Sequence, residues 1–226
     1  MNALVNAHTL REKDVSQSVR FASGGLPEAL SSQTGVSSDY AQQTGHNWYV
    51  LRVTYNRTDK AQKQLIFARV QWYQPMHYVL KKEIGKKKRI QKPLLPNLFF
   101  VYATREAVDD IVKKKCDEPQ VIKYYRDKTK PVGPDGKHPP ITISHSAMVN
   151  FIRVTNTSSE HVRVVSPQQC HFKSGDIVKV TGGEFDGITG RVARIAGQQR
   201  VVVEVSGLCL VATAYIPSRF IQHIVE

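Results

Sequence analysis

The spacing of apolar residues changes character along the chain, and each change predicts a different element. From residue 47 the run NWYVLRVTY carries Trp48, Tyr49, Val50, Leu51 and Val53, a β-prone composition that predicts a strand. In TDKAQKQLIFARV the period lengthens. Ala61, Leu65 and Ala68 recur at helical spacing, with Thr58 placed to cap the helix and Asp59 in its first turn. QWYQPMHYVLKK returns to strand and is interrupted by Pro75, which has no amide proton for a central ladder and so predicts an edge or a bulge. Glu83-Ile84-Gly85-Lys86 reads as a hairpin turn leading back through Arg89 and Ile90, and LPNLFFVYA reads as the next strand. Thr104 caps a second helix, REAVDDIVKKK, which is acidic early and lysine-rich late, as the helix dipole favours. VIKYYR is a strand, KTKPVGPDGKHPP a turn-rich loop, and Ser144 caps a third helix, HSAMVNFIRV. Residues 47–154 therefore read β-α-β-β-α-β-α, an antiparallel-rich sheet covered by helices.

Residues 155–170 are polar and irregular, and are expected to be a linker. Over 171–226 short strands alternate with glycine. Val178 and Val180, then Val192, then Val201, Val203 and Val205 lie at the spacing of one strand face. Many short strands with tight turns close most naturally as a small β-barrel, so the fold class is α+β. Residues 1–46 are rich in Ser, Gln, Gly and Ala, and predict a largely disordered leader with at most a short helix within 9–20.

Charge sharpens this division. The chain of 226 residues has 32 Lys plus Arg against 19 Asp plus Glu, a net +13, while the leader carries −1. A field of that size speaks for a polyanionic partner, nucleic acid before membrane. No run approaches the length of a transmembrane helix, and the N-terminus lacks a secretory pattern, so no membrane association and a cytoplasmic location are expected. Cys116, Cys170 and Cys209 are widely spaced and form no CxxC pair; neither a metal site nor a cofactor is implied, and Cys170-His171 reads as two incidental neighbours. No Walker loop, HExxH or GxSxG occurs, and no catalytic residue is nominated.

The cations concentrate around the predicted hairpin: Lys81, Lys82, Lys86, Lys87, Lys88, Arg89 and Lys92. Such a tip either stays solvated and blunts a sheet edge or contacts phosphates; its density favours contact. Arg57, Lys60, Lys63 and Gln64, on and before the first helix, are further candidates for nucleic-acid contact. In PNLFFVYA, alternation places Leu98, Phe100 and Tyr102 on one face and Phe99, Val101 and Ala103 on the other. One face must pack on the domain; the other is either a second core face or a docking surface, and docking is the favoured reading.

The ordered residues Gly175-Asp176-Ile177-Val178-Lys179-Val180, Gly183, Phe185, Gly187, Gly190, Arg191 and Val192 resemble the KOW motif. Together with WYVLRV, the basic helix, the basic hairpin and PNLFFV, the chain from 47 onward resembles the NusG/Spt5 transcription elongation factors. PLLPNLFFV is similar to the specialised RfaH-like paralogues, and YQPMHYVLKKEIGKKKRIQKPLLPNLFFV resembles the NusG-like antiterminators of Bacteroides capsular-polysaccharide loci. The resemblance implies a NusG N-terminal α/β sandwich followed by a KOW β-barrel. It implies a monomeric, non-enzymatic factor that binds the clamp helices of RNA polymerase and suppresses pausing or termination. Leu95, Leu98, Phe100 and Tyr102 would face the clamp, with non-template DNA or nascent RNA at the basic residues. Phe185 and Ile188 would engage ribosomal protein S10 or Rho, unless Phe185 is barrel core. The His-Thr-Thr segment of RfaH-type proteins is replaced here by Asp109-Asp110-Ile111. The alternative class is a KOW-containing RNA-binding or ribosome-associated protein.

Overall fold

The structure, a computed structural model, describes residues 42–54, 56–83, 85–113, 120–157, 161–205 and 207–224. The leader expected over 1–46 thus lies outside the described residues as far as 41. Residues 42–46 are already placed on the body: the Gln43 amide donates to the Tyr102 hydroxyl at 2.7 Å, and the His46 ring lies 5.4 Å from that of Tyr102.

The first unit is built on an antiparallel sheet of β1 (Asn47–Val53), β2 (Gln71–Tyr73), β5 (Leu98–Ala103) and β6 (Ile122–Tyr124) in the order β2-β5-β1-β6, with β7 (Thr142–Ile143) also paired to β1. The register opposes Val50 to Phe100 and Leu51 to Phe99, so alternate residues of both central strands feed opposite faces. Tyr49, Leu51, Val53, Phe99 and Val101 pack with Ala61 and Leu65 of α1 (Thr58–Phe67) and Val108 and Val112 of α2 (Arg105–Lys113). Trp48, Val50, Leu98, Phe100 and Tyr102 pack with Met148, Phe151 and Ile152 of α3 (His145–Thr155). The sheet is therefore covered on both faces.

The helix starts follow the sequence in two cases of three. The Ser144 and Thr104 hydroxyls accept from the amides of Ala147 and Ala107, each at 3.3 Å. In α1 the expected cap, Thr58, is the first helical residue; Arg57 holds the cap position without a side-chain bond, and Ala68 ends the helix exposed. The stretch interrupted at Pro75 divides in two. Its first half is β2, an edge of the main sheet. The second is β3 (Met76–Glu83), which leaves the sheet and pairs with β4 (Lys86–Pro93) alone. Gly85 turns the hairpin at φ +73°, a conformation glycine adopts without a Cβ clash.

The second unit is a six-stranded antiparallel sheet in the order β13-β9-β10-β11-β12-β8. Its strands are β8 (Arg163–Val165), β9 (His171–Val180), β10 (Thr189–Ile195), β11 (Gln198–Val205), β12 (Cys209–Tyr215) and β13 (Ile221–His223). β8 corrects the linker expectation: part of 155–170 is a strand paired to β12, followed by a short turn of helix at Pro167–Gln169. Gly190 is required by packing, since a Cβ there would lie 2.6 Å from the Val202 carbonyl oxygen.

A polar spacer between independent units was expected; the structure instead joins them through α3. Val178, Val180, Phe185, Ile188, Val201, Val203 and Val205 share one buried cluster with Phe151, Phe100 and Trp48. Polar contacts edge the junction. Arg153 donates to the Gly187 carbonyl at 3.0 Å, and the Thr189 amide donates to the Asn150 side chain at 3.3 Å. The Tyr73 hydroxyl meets Thr155 Oγ1 at 2.6 Å and donates to Asn156 Oδ1 at 2.9 Å, tying β2 to the end of α3.

Candidate nucleic-acid interface and docking faces

The face of β5 expected to be open is closed. Leu98, Phe100 and Tyr102 are 9%, 0% and 2% exposed, and Leu95 is half-buried against the same core. The Phe100 ring lies 5.1 Å from that of Phe151 on α3. The docking reading of this strand is thus corrected for the conformation seen here: the alternative, two core faces under helices on both sides, is what the chain adopts. The physical reason is α3, which is apolar on more than one stripe. Met148, Phe151, Ile152 and Val154 spread over about 160° of the helix surface and are all buried, so the helix is packed between the sheet and the second unit.

Phe185 and Ile188 are corrected in the same way. They are 4% and 1% exposed and lie within the joint cluster around α3. Gly183 and Gly187, at φ +78° each, shape the turn that carries Phe185 inward. Burial pushes the Cys209 thiol up to about 12 and raises that of Cys170, so neither is a thiolate at neutral pH.

What the surface does offer lies on the opposite side of the first sheet. Between α1 and α2 is a groove of about 620 Å³ lined by Lys60, Lys63, Gln64, Phe67, Ala68, Ala107, Asp110 and Ile111. Three of the four residues nominated on α1 meet there; Arg57, at the helix start, does not line it. Phe67 is 77% exposed. Sequence reasoning missed it, although the signal existed. Two residues beyond Leu65, it lies about 200° around the helix from the buried stripe, where a solvated helix would normally carry a polar residue.

Asp109 is a structural residue. Tyr124 donates to it at 2.7 Å, and Arg105 and Lys113 bridge it at 3.2 and 3.1 Å. Burial opposes ionisation of this carboxyl, but the bonds from Tyr124, Lys113 and Arg105 outweigh it and hold the pKa below the ordinary value. Burial, then the bond to Asp109, pushes the Tyr124 phenol far up. This network fixes α2 to β6 and so fixes one wall of the groove.

The hairpin carries the other nominated cations. Lys87, Lys88 and Arg89 are exposed on β4, as are Lys81 and Lys82 on β3; Lys86 begins β4, and its side chain lies outside the described residues. The Arg89 guanidinium sits 3.8 Å above the Tyr78 ring, a cation–π contact across the two strands. The two basic regions are therefore different in kind: a groove with an apolar floor, and a protruding ribbon.

Against this geometry, residues 46–152 match the family model described as transcription termination factor NusG. The match runs from the start of β1 through most of α3, so the first unit is similar to that family over those residues. The chain has no significant match among curated proteins. Among the described residues no helix is long and apolar enough to cross a membrane, and no group of three or more His, Cys, Asp or Glu is placed to hold a metal ion.

Proposed function

We propose that the protein is a specialised elongation factor that binds transcribing RNA polymerase through its NusG-family domain and suppresses pausing or termination at particular operons, capsular-polysaccharide loci among them. The observation that carries this reading is the family match over the first unit. The groove of Lys60, Lys63 and Gln64 supports it: cations at the rim suit phosphates, and the exposed Phe67 offers a ring to an unstacked base of the displaced strand. The second unit, read as a KOW module, serves a further partner, ribosomal protein S10 or Rho, through Phe185 and Ile188.

Both partner faces are buried in one core, so use of Leu95, Leu98, Phe100 and Tyr102 by the polymerase clamp requires the second unit and α3 to move. A disulfide across the junction tests this. Asn150→Cys with Thr189→Cys, at positions whose side chain and amide now touch at 3.3 Å, should lock the closed form when oxidised. Retention on core RNA polymerase should be lost on oxidation and return with reductant. Equal retention in both states would place the polymerase contact on the open side of the sheet instead. No retention in either state, with co-sedimentation on ribosomal subunits, would favour a ribosome-associated module.

A further inference from the structure

The hairpin β3–β4 has a register that its own stability argues against. Lys81 lies directly opposite Lys88, and Lys82 directly opposite Lys87. Like charges at directly opposed positions of an antiparallel pair destabilise it, and here two such pairs follow each other. Because side chains alternate, the first pair is on one face of the ribbon and the second on the other. Lys92 adds to the face of Lys81 and Lys88, while Arg89 adds to that of Lys82 and Lys87. Over Met76–Pro93 seven Lys and Arg stand against Glu83 alone.

The two strands form a sheet of their own, joined to the body where the Leu94 amide donates to the Pro75 carbonyl at 2.8 Å. A solitary two-stranded ribbon is marginal in water even without repulsion. Leu80, beside the paired lysines, is 58% exposed. A ribbon that is cationic on both faces is matched by an anion that lies on both sides at once.

We propose that this hairpin inserts into the major groove of duplex DNA, with each cationic face directed at one of the two flanking phosphate rows. The dimensions agree. Eight-residue strands extend about 26 Å at ~3.3 Å per residue, and a major groove about 12 Å wide admits a two-stranded ribbon. A single strand fits less well. It presents one phosphate row and needs stacking platforms, and the Tyr78 ring in this ribbon is covered by Arg89. Double-stranded RNA is disfavoured because its major groove is too deep and narrow for a ribbon. The choice of DNA rests on the proposed role in transcription; the two-sided geometry does not.

The test uses the full chain and four probes: a 30-base-pair DNA duplex, one of its strands, the matching RNA duplex, and phosphatidylglycerol-containing vesicles. Fluorescence anisotropy should show tightest binding to duplex DNA, with a log–log salt slope of about −4 to −6 if five to six cations meet phosphates. The double variant Lys87→Glu/Lys88→Glu converts both repelling pairs into opposite-charge pairs. It should bind the duplex at least tenfold more weakly, with a slope shallower by about 2. Amide exchange over 76–93 should slow at the same time, because the swap removes the repulsion. Should the charge-swapped chain melt early, Lys87→Gln/Lys88→Gln must still flatten the slope by about 2. Equal or tighter binding of the single strand, the RNA duplex or the vesicles overturns the proposal, as does an unchanged slope or faster exchange in the swapped hairpin. Retention on core polymerase, measured with the same variants, separates the two readings. A wild-type chain that binds duplex but not polymerase removes the elongation-factor reading and leaves the hairpin assignment standing.

Discussion

β2 and β3 come from one continuous stretch, divided at Gln74-Pro75, yet they end in opposite situations. Trp72 and Tyr73 of β2 are buried, joined to β5 and anchored by the Tyr73 hydroxyl to the end of α3. Four residues later the chain is in β3, paired to β4 alone and carrying lysine on both faces. Both halves have β-prone composition, so strand propensity does not separate them. The separation comes from what the partner strand supplies. β5 brings six buried residues, LFFVYA, and β4 brings KKKRIQKP. Strand formation is local, but burial needs apolar partners on the facing strand and a layer above it.

The sharpest way to break this comparison is at Phe100. If β5 is core on both faces, Phe100→Ala should lower stability by about 3–5 kcal/mol, the range for a fully buried phenylalanine, read as a fall in the denaturant midpoint. A change below about 1 kcal/mol would mean that α3 does not hold the face closed in solution. A smaller effect separates the two regions by pH. Burial lowers the pKa of His145 on α3, whose ring lies 5.8 Å from that of Tyr102. Burial and then Lys92 lower that of His77 on β3. A histidine with a depressed folded pKa takes its proton first in the unfolded chain. The stability it contributes is complete above about 6.5 and is lost as pH falls below that value. His145→Gln should therefore flatten the fall of the global melting temperature between pH 7 and 5. His77→Gln should leave the global curve unchanged and alter only exchange within the hairpin; a global effect of His77→Gln would show that the ribbon belongs to the cooperative core. The least effect is expected at Leu80, where replacement by Ser should change global stability by less than about 0.5 kcal/mol. A larger loss would reveal a cover over the ribbon.

Much of the local structure was legible in the residues. The Thr104 and Ser144 caps, the Gly85 turn and the positive-φ glycines Gly183 and Gly187 are where short-range chemistry places them. At Thr58 that chemistry was overridden: the helix took the threonine into its first turn. The candidate site was legible as a set of cations but not as a shape. Lys60, Lys63 and Gln64 were visible in the sequence, whereas the groove they line exists only because α2 lies alongside, held by Asp109 and Tyr124 across fourteen intervening residues.

Alternation along PNLFFVYA fixes which residues share a face, since a strand has no other way to point its side chains. It does not say what covers that face, because cover comes from chain far away. Here the cover is α3, about fifty residues on, and a second sheet beyond it. The same holds for Phe185 and Ile188: their turn was written in glycines, but their burial depended on the apolar side of α3 turned away from the first sheet. The sequence by itself determined two units, one hairpin and the charge on each. Only the tertiary structure decided that the units share a core and that the hairpin has none. Shared burial is settled by which surfaces meet, and that depends on contacts distant in sequence, while charge and turn chemistry reside in neighbouring residues.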